Sequence, residues 1–440
     1  MSSAADLLHP DFRPLPYWWD DAPPETARDE ALPARADVVI VGSGYCGMNA
    51  AAEFASAGRD VVLVDAGPLG IGASTRNTGG VTGGQKLLLA GPTRNVTAQQ
   101  LALMLQDSLA SFAYVAGLIE EEGLDAGFQR CGRFLTAYTD KHYARLLHLG
   151  KLLREHTGVR VTDIPADRLG EIIATDFYRG GILIEDYASV HPARYHRALR
   201  QRARKRGARL FSHAEVEQVT PGTDGHSVVT VRGTIKARQV VLATNGYLTE
   251  RFDAFRRRLI PVASYHIATE ELPPERVAAL LPRGHMVSDS QRNLTAVRPS
   301  TDGRRLIFGA RPAAFDRDET RAASLIHRAM CDVFPSLGDV RVSHCWRGTV
   351  AMTFDRKPHL GEEDGIFYAL GCNASGVAMM SYLGREIARR AMGTQPRKSA
   401  FETEHFPQKA WYRGHPWFVP PLTAAYNLLD GLDRWSDRRP

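Results

Sequence analysis

The chain has 440 residues, 44% hydrophobic and 24% charged, a globular composition that excludes a largely disordered chain. No apolar run has the length of a membrane span, and the acidic, proline-containing first residues lack the apolar core of a secretory signal. The 55 Lys+Arg exceed 49 Asp+Glu by only 6 over the whole chain, so no nucleic-acid or other polyanionic partner is required.

Residues 1–34 and 393–440 are rich in Pro and Trp and are expected to wrap the surface as terminal extensions. Between them, Asp37-Val38-Val39-Ile40-Val41 reads as a buried parallel strand. It runs into Gly42-Ser43-Gly44-Tyr45-Cys46-Gly47, then an Ala-rich helix closed by Gly58, and a second strand, Val61 to Val64, ending at Asp65-Ala66. In this βαβ order Gly42 permits the tight turn and Gly44 lets backbone approach a pyrophosphate. Gly47 lets the helix pack closely, and the helix N-terminus offers free N–H groups to phosphate. Asp65, 23 residues after Gly42, can accept hydrogen bonds from a ribose. Cys46 and Ala66 belong to the same nucleotide surface. The fingerprint alone does not separate FAD from NAD.

The stretch Gly70-Ile71-Gly72-Ala73-Ser74-Thr75-Arg76-Asn77-Thr78-Gly79-Gly80 is too glycine-rich for a helix or an ordinary strand, and exposes N–H groups to something flat or anionic. Amphipathic helices are expected over Thr97 to Glu122 and Asp140 to His156. Arg133, Phe134 and Tyr138 read as alternating strand residues involved in sheet packing. Arg194 to Arg209 holds eight basic residues and no acid, read as a solvated helix face. Strands follow at Val262–Thr269, Leu294–Pro299 and Arg305–Ala310, the last two joined by a turn at Gly303. The five cysteines, Cys46, Cys131, Cys331, Cys345 and Cys372, form no C-x-x-C pair and no zinc-spaced cluster with His. Free thiols, no metal and a reducing cytoplasm are expected.

Several of these runs together resemble the D-amino-acid oxidase–like family of FAD-dependent oxidoreductases. Gly72, Ser74, Arg76, Asn77 and Gly79 match its G-x-S-x-R-N-x-G pattern. Ser189-Val190-His191-Pro192, Ala214-Glu215-Val216 and Ala243-Thr244-Asn245-Gly246 follow in family order. So do Trp346-Arg347-Gly348-Thr349 with Thr353-Phe354-Asp355, and Gly371-Cys372-Asn373-Ala374-Ser375-Gly376-Val377. The resemblance spans residues 35–392 and looks most like the γ-glutamylputrescine and pipecolate oxidase group, with Tyr17-Trp18-Trp19 fitting loosely.

The resemblance implies an α/β chain (α+β overall). A discontinuous Rossmann-like FAD-binding domain would comprise 35–95, 186–260 and 342–392, with a sheet-and-helix substrate domain from 96–185 and 261–341. Gly80, Val216, Ala243, Thr244, Gly246, Gly371, Asn373, Ser375, Gly376 and Val377 would join the fingerprint in holding FAD. A helix starting near Gly376 would aim its dipole at the reduced flavin's pyrimidine end. The sarcosine-oxidase branch tethers its flavin through a cysteine seven residues before Asp355, but Gly348 stands there, so non-covalent FAD is expected. That branch's oxygen-activating lysine has no counterpart in Arg304 to Gly309.

The implied activity is oxidation of a C–N bond in a small amine or amino acid by hydride transfer to flavin, the imine then hydrolysing to an aldehyde or ketone. Oxygen or another acceptor would take the electrons. A dehydrogenase subunit needing a partner, or an NAD(P)-linked dehydrogenase, are the alternatives. Arg298 could clamp a carboxylate and Trp346 could wall the pocket. Of Tyr265 and His266, one must face away because strand side chains alternate. His359 would approach the flavin edge.

Overall fold

The computed structural model describes residues 7–26, 31–83, 96–311, 318–402 and 405–437; the expected boundary at 95 and the extreme ends of both terminal extensions lie outside them. Two large sheets organise the chain. In the first, Ile366–Leu370, Gly233–Leu242, Arg35–Val41, Val61–Val64 and Arg209–Phe211 lie side by side, all parallel. Val38 to Ile40 and Val61 to Val64 have no exposed surface, because a parallel sheet is covered on both faces. The antiparallel strands Val216–Gly222 and Gly225–Thr230 extend this sheet, and His359–Glu363 pairs with Ile366–Leu370. The fingerprint helix, Tyr45–Ser56, packs between helices Pro192–Lys205 and Gly376–Met392.

The second sheet has nine strands. From one edge they run Leu8–Arg13, Val342–Thr353, Leu259–Thr269, Leu306–Ala310, Ala296–Pro299, Met286–Asp289, Arg133–Thr136, Gly181–Ile184 and Val161–Ile164. Helix Glu319–Val333 covers one face through Ile326 and Met330, which share a core with Tyr265, Ile267 and Phe308. The Gly303 turn joins its strands as expected, with Pro299 opposite Leu306.

Three features differ from the sequence reading. Val342–Thr353, grouped there with the nucleotide segments, pairs with Leu259–Thr269 over nearly its whole length and so belongs to the second sheet. The N-terminal extension is not a mere wrap: Leu8–Arg13 adds a parallel edge strand, and Trp18 is fully buried against Ala268, Ile307 and Trp346. The basic run is solvated only in part: Arg204, Lys205 and Arg206 are exposed, but its arginines are ion-paired. Arg194 pairs with Asp21, Arg197 with Asp125, Arg200 and Arg204 with Glu25, Arg202 and Arg206 with Glu122, and Arg209 with Asp60. It therefore pins the N-terminal segment to the body of the protein.

Helix Ala98–Glu121 is long and apolar enough to cross a membrane by composition, but half of its apolar window is buried. It starts with a capping box from Thr97 and Gln100 and packs on Gly376–Met392.

Candidate active site

A cavity of about 470 Å³ runs between the two sheets, within the range of ligand sites. At one end the fingerprint lines it with Gly42, Gly44 and Cys46, beyond the strand that ends at Val41. Gly42 has φ +107°, and a Cβ there would stand 2.9 Å from the Ala243 carbonyl oxygen. Gly47 does not reach the cavity; a Cβ on it would collide with the Gly42 carbonyl oxygen, so it sets how closely the helix approaches the turn. Asp65 and Ala66 also line this end. The Asp65 carboxylate accepts from the Ser43 N–H at 2.7 Å and the Gly67 N–H at 3.0 Å, which ties the second strand to the fingerprint loop. Ala214, Glu215, Val216, Ala243 and Thr244 complete this end, and the buried Thr244 hydroxyl has no partner among the described residues. Burial pushes the Cys46 thiol up to about 12, so it stays protonated.

The glycine-rich loop forms the middle of the wall through Gly72, Ser74, Arg76, Asn77, Thr78 and Gly80. Ser74 Oγ accepts from the Tyr45 N–H at 3.0 Å, joining loop to helix N-terminus. Three successive carbonyls of the loop each take one donor from behind. Trp346 Nε1 donates to Arg76 O at 2.9 Å, Trp18 Nε1 to Asn77 O at 3.0 Å, and Arg298 to Thr78 O at 3.0 Å. Trp19 Nε1 adds a bond to Thr75 Oγ1 at 2.9 Å, and its ring lies under the Arg76 guanidinium. Because a trans peptide points its N–H opposite its C=O, this clamp turns the Asn77 and Thr78 N–H groups away from the indoles. Helix Gly376–Met392 brings its N-terminus, Gly376 and Val377, to the same cavity with no side-chain cap. Two helix N-termini, an acid at the ribose position, a free buried hydroxyl and a clamped amide loop together fit FAD.

The sequence-derived residues divide accordingly. Gly79, Gly246, Gly371, Asn373 and Ser375 stand behind the lining. Gly79 abuts the Val190 carbonyl and Arg298, and Gly246 abuts Thr349. Asn373, in a left-handed turn at φ +44°, accepts from the Thr353 N–H at 3.0 Å and donates to Gly371 O at 2.8 Å, holding the turn before the helix. Arg298 is buried but does not line the cavity; it also donates to Val190 O at 2.9 Å, so its guanidinium is committed to backbone. Trp346 likewise braces the loop rather than walling the cavity. Tyr265 faces the core under Glu319–Val333, and its neighbour His266 faces the cavity, as strand alternation requires. His359 is stacked on Phe406 at 4.2 Å and bonded to Asp355 at 3.0 Å, away from the cavity.

The far end holds what the sequence reading missed. Arg133, taken there for sheet packing, lines the cavity with Arg311, Thr82, Leu294, Ala296 and Gly309. Arg133 Nε and one terminal nitrogen both donate to Ser288 Oγ, at 3.1 and 2.9 Å, and it has no carboxylate partner among the described residues. Desolvation lowers its pKa. Desolvation also lowers that of Arg311, with the Tyr426 phenol opposing. His266 stacks on Trp346 at 5.4 Å and 19°, in space left by Gly309, and burial alone takes it down to about 4, so it is neutral at pH 7. A strand arginine gives no sequence signal of which face it takes.

Residues 37–390 match the family described as FAD dependent oxidoreductase. The chain is 31% identical to the probable oxidoreductase OrdL of Rhizobium meliloti over 387 residues, covering 86% of this chain and 88% of the relative. It is 28% identical to the gamma-glutamylputrescine oxidoreductase of Escherichia coli over 404 residues, covering 90% and 93%. Among solved structures, glycine oxidase from Geobacillus kaustophilus superposes with a TM-score of 0.71 at 24% identity, covering 86% of this chain and 99% of that one. L-amino acid deaminase from Proteus myxofaciens gives 0.70 at 18% identity, covering 88% and 97%. With the Rossmann-like sheet, the cradle for FAD and a match over most of its length, the chain belongs to the FAD-dependent oxidoreductases of the D-amino-acid oxidase family, enzymes acting on amines or amino acids.

Proposed function

We propose that this enzyme oxidises the C–N bond of a small amine or amino acid bearing a carboxylate, by hydride transfer to FAD held without a covalent bond. The observation that carries this reading is the continuity of one cavity from the dinucleotide cradle to Arg133, His266 and Arg311. FAD, when bound, supplies the two-electron acceptor. Arg133 keeps a terminal nitrogen beyond its bonds to Ser288, and orients the substrate by pairing with its carboxylate in a site where a guanidinium is poorly solvated. His266, backed by its stack on Trp346, gives that end a buried and uncharged wall against which the reacting carbon is held. Burial takes the His266 pKa down to about 4 and makes it a weak base, so in this reading the amine leaves its ammonium proton in solution and enters the site neutral. Imine released from the site is hydrolysed in water to the aldehyde or ketone.

Non-covalent binding is supported at two positions. Gly348 lines the cavity where a tethering cysteine would stand, and the Cys372 thiol is turned to the Ala351 carbonyl. The segments 35–83, 186–258 and 359–392 form the FAD-binding unit in this reading. The chain's five free cysteines suit a reducing cytoplasm. Electrons pass to oxygen or to another acceptor. A partner acceptor is the second reading, favoured because no lysine is among the residues described as lining the cavity.

Acid precipitation of the purified enzyme should leave the flavin in the supernatant. Anaerobic mixing should bleach the visible flavin band with carboxylate-bearing amines and far more slowly with their decarboxylated analogues. Flavin retained in the pellet would sink non-covalent binding, and equal bleaching by both series would sink the carboxylate assignment.

A further inference from the structure

We infer that the C-terminal helix, Val419–Asp437, is the pairing surface for a second copy of this chain, through an antiparallel helix–helix contact centred on Leu428. A surface helix ordinarily turns its apolar stripe inward. This one is reversed. Its charged side chains face the body of the protein: Asp430 and Asp433 bind Arg292, and Arg434 donates to the Tyr138 carbonyl at 2.7 Å while lying over the Tyr138 and Phe177 rings. Asn427 and the Thr423 carbonyl bind Asn293 on the same side. The opposite side is apolar, and no exposed position between 421 and 436 is charged. Leu428 is 66% exposed and Trp435 58%, with Leu422, Leu429 and Leu432 beside them. The chain's exposed tryptophans, Trp411, Trp417 and Trp435, all lie in this tail.

A patch of this size on a soluble surface marks an interaction site. The pattern along it specifies the occupant. The middle of the exposed arc is Pro421, Ala425, Leu428, Leu432 and Trp435, spaced by four, three, four and three residues, the repeat of a helix that packs on another helix. The small members lie in the first half and the large ones in the second. A two-fold axis at Leu428 sets Pro421 and Ala425 of one copy against Trp435 and Leu432 of the other, so large fills small on both sides, as an isologous contact requires. Trp435 and the four Leu of the helix, exposed by 42–66%, together with the exposed Pro421, Ala424 and Ala425, offer on the order of 600 Å² per copy, the larger part of the ~800 Å² per partner of a standard interface. A bilayer surface suits the helix less well: interfacial helices carry cations toward the headgroups, and the helix's one cation, Arg434, points into the protein.

Light scattering on the flavin-loaded full chain should give twice the 48.5 kDa monomer mass. Leu428→Asp should run as a monomer with flavin content and turnover retained. Mild oxidation of the Leu428→Cys variant should give a covalent dimer on a non-reducing gel, and Ser436→Cys, far from the axis, should not. This readout decides the matter even if Leu428→Asp misfolds. A monomeric wild type overturns the inference, as does a dimer that survives Leu428→Asp while the Leu428→Cys variant fails to cross-link. Co-sedimentation of a monomer with phosphatidylcholine–phosphatidylglycerol vesicles would overturn it in favour of a lipid surface.

Discussion

At the cradle end of the cavity, residues 42–80 supply about half of the wall from one stretch of chain, largely through glycines, backbone and small side chains. At the substrate end, Arg133, His266, Gly309 and Arg311 come from segments far apart in the chain and meet only because the strands Arg133–Thr136, Leu259–Thr269 and Leu306–Ala310 share a sheet. In the proposed reading the first end meets groups common to every flavin nucleotide, which glycines and helix termini can meet locally, and the second selects one substrate, which takes side chains carried in from several directions on a rigid support. Between the two, Trp18, Trp346 and Arg298 hold the carbonyls of residues 76–78, so the second sheet and the N-terminal segment position the loop of the first end.

The largest test of this contrast is at the cradle. Gly47→Val places side-chain atoms on the Gly42 carbonyl, and the expected outcome is protein purified without flavin, with FAD affinity lowered by at least about 100-fold in a fluorescence titration. At the other end, Arg133→Met should leave flavin content unchanged and lower kcat/KM for a carboxylate-bearing amine by roughly 100-fold, with decarboxylated analogues little affected. If both substrate series fall together, Arg133 is a packing residue and the contrast fails. Trp18→Phe keeps the packing but removes one donor to the loop, and should weaken FAD binding by roughly 10-fold without changing substrate preference.

The smallest effect is on stability. His196 and His266 are buried and held near pKa 4 in the folded protein, and unfolding returns them to about 6.5. The unfolded chain then binds more protons between those values, so this stability is complete above about pH 6.5 and is lost progressively as pH falls toward 4. The melting temperature should drop by roughly 5 °C between pH 7 and pH 5, and His266→Gln should shrink that drop.

Much of the cradle was legible because its signals are local. A strand, a turn with Gly42 and a helix are neighbours in sequence as in space, and the register of Val38 with Val61 follows from two apolar runs. The helix expected near Gly376 begins at Gly376, and the one expected over Asp140 to His156 spans Asp140–Thr157. Strand alternation also settled that Tyr265 and His266 part ways, though not which of them faces the cavity.

The remainder depended on contacts between distant segments. Arg298 and Arg133 both sit on strands among apolar neighbours, and nothing in either stretch tells which face meets the cavity; pairing order in the nine-stranded sheet turned Arg298 to the loop carbonyls and Arg133 to the cavity. The basic run of Arg194 to Arg209 looked solvated because its partners, Asp21, Glu25, Glu122, Asp125 and Asp60, are remote in sequence. Local patterns alone sufficed for the strand–turn–helix–strand of residues 35–64 and for the helix starting at Gly376, since backbone geometry there follows from neighbouring residues. The directions of Arg133, Arg298 and Trp346 came from the assembled sheets, because a side chain's direction there is set by which distant strand lies beside its own.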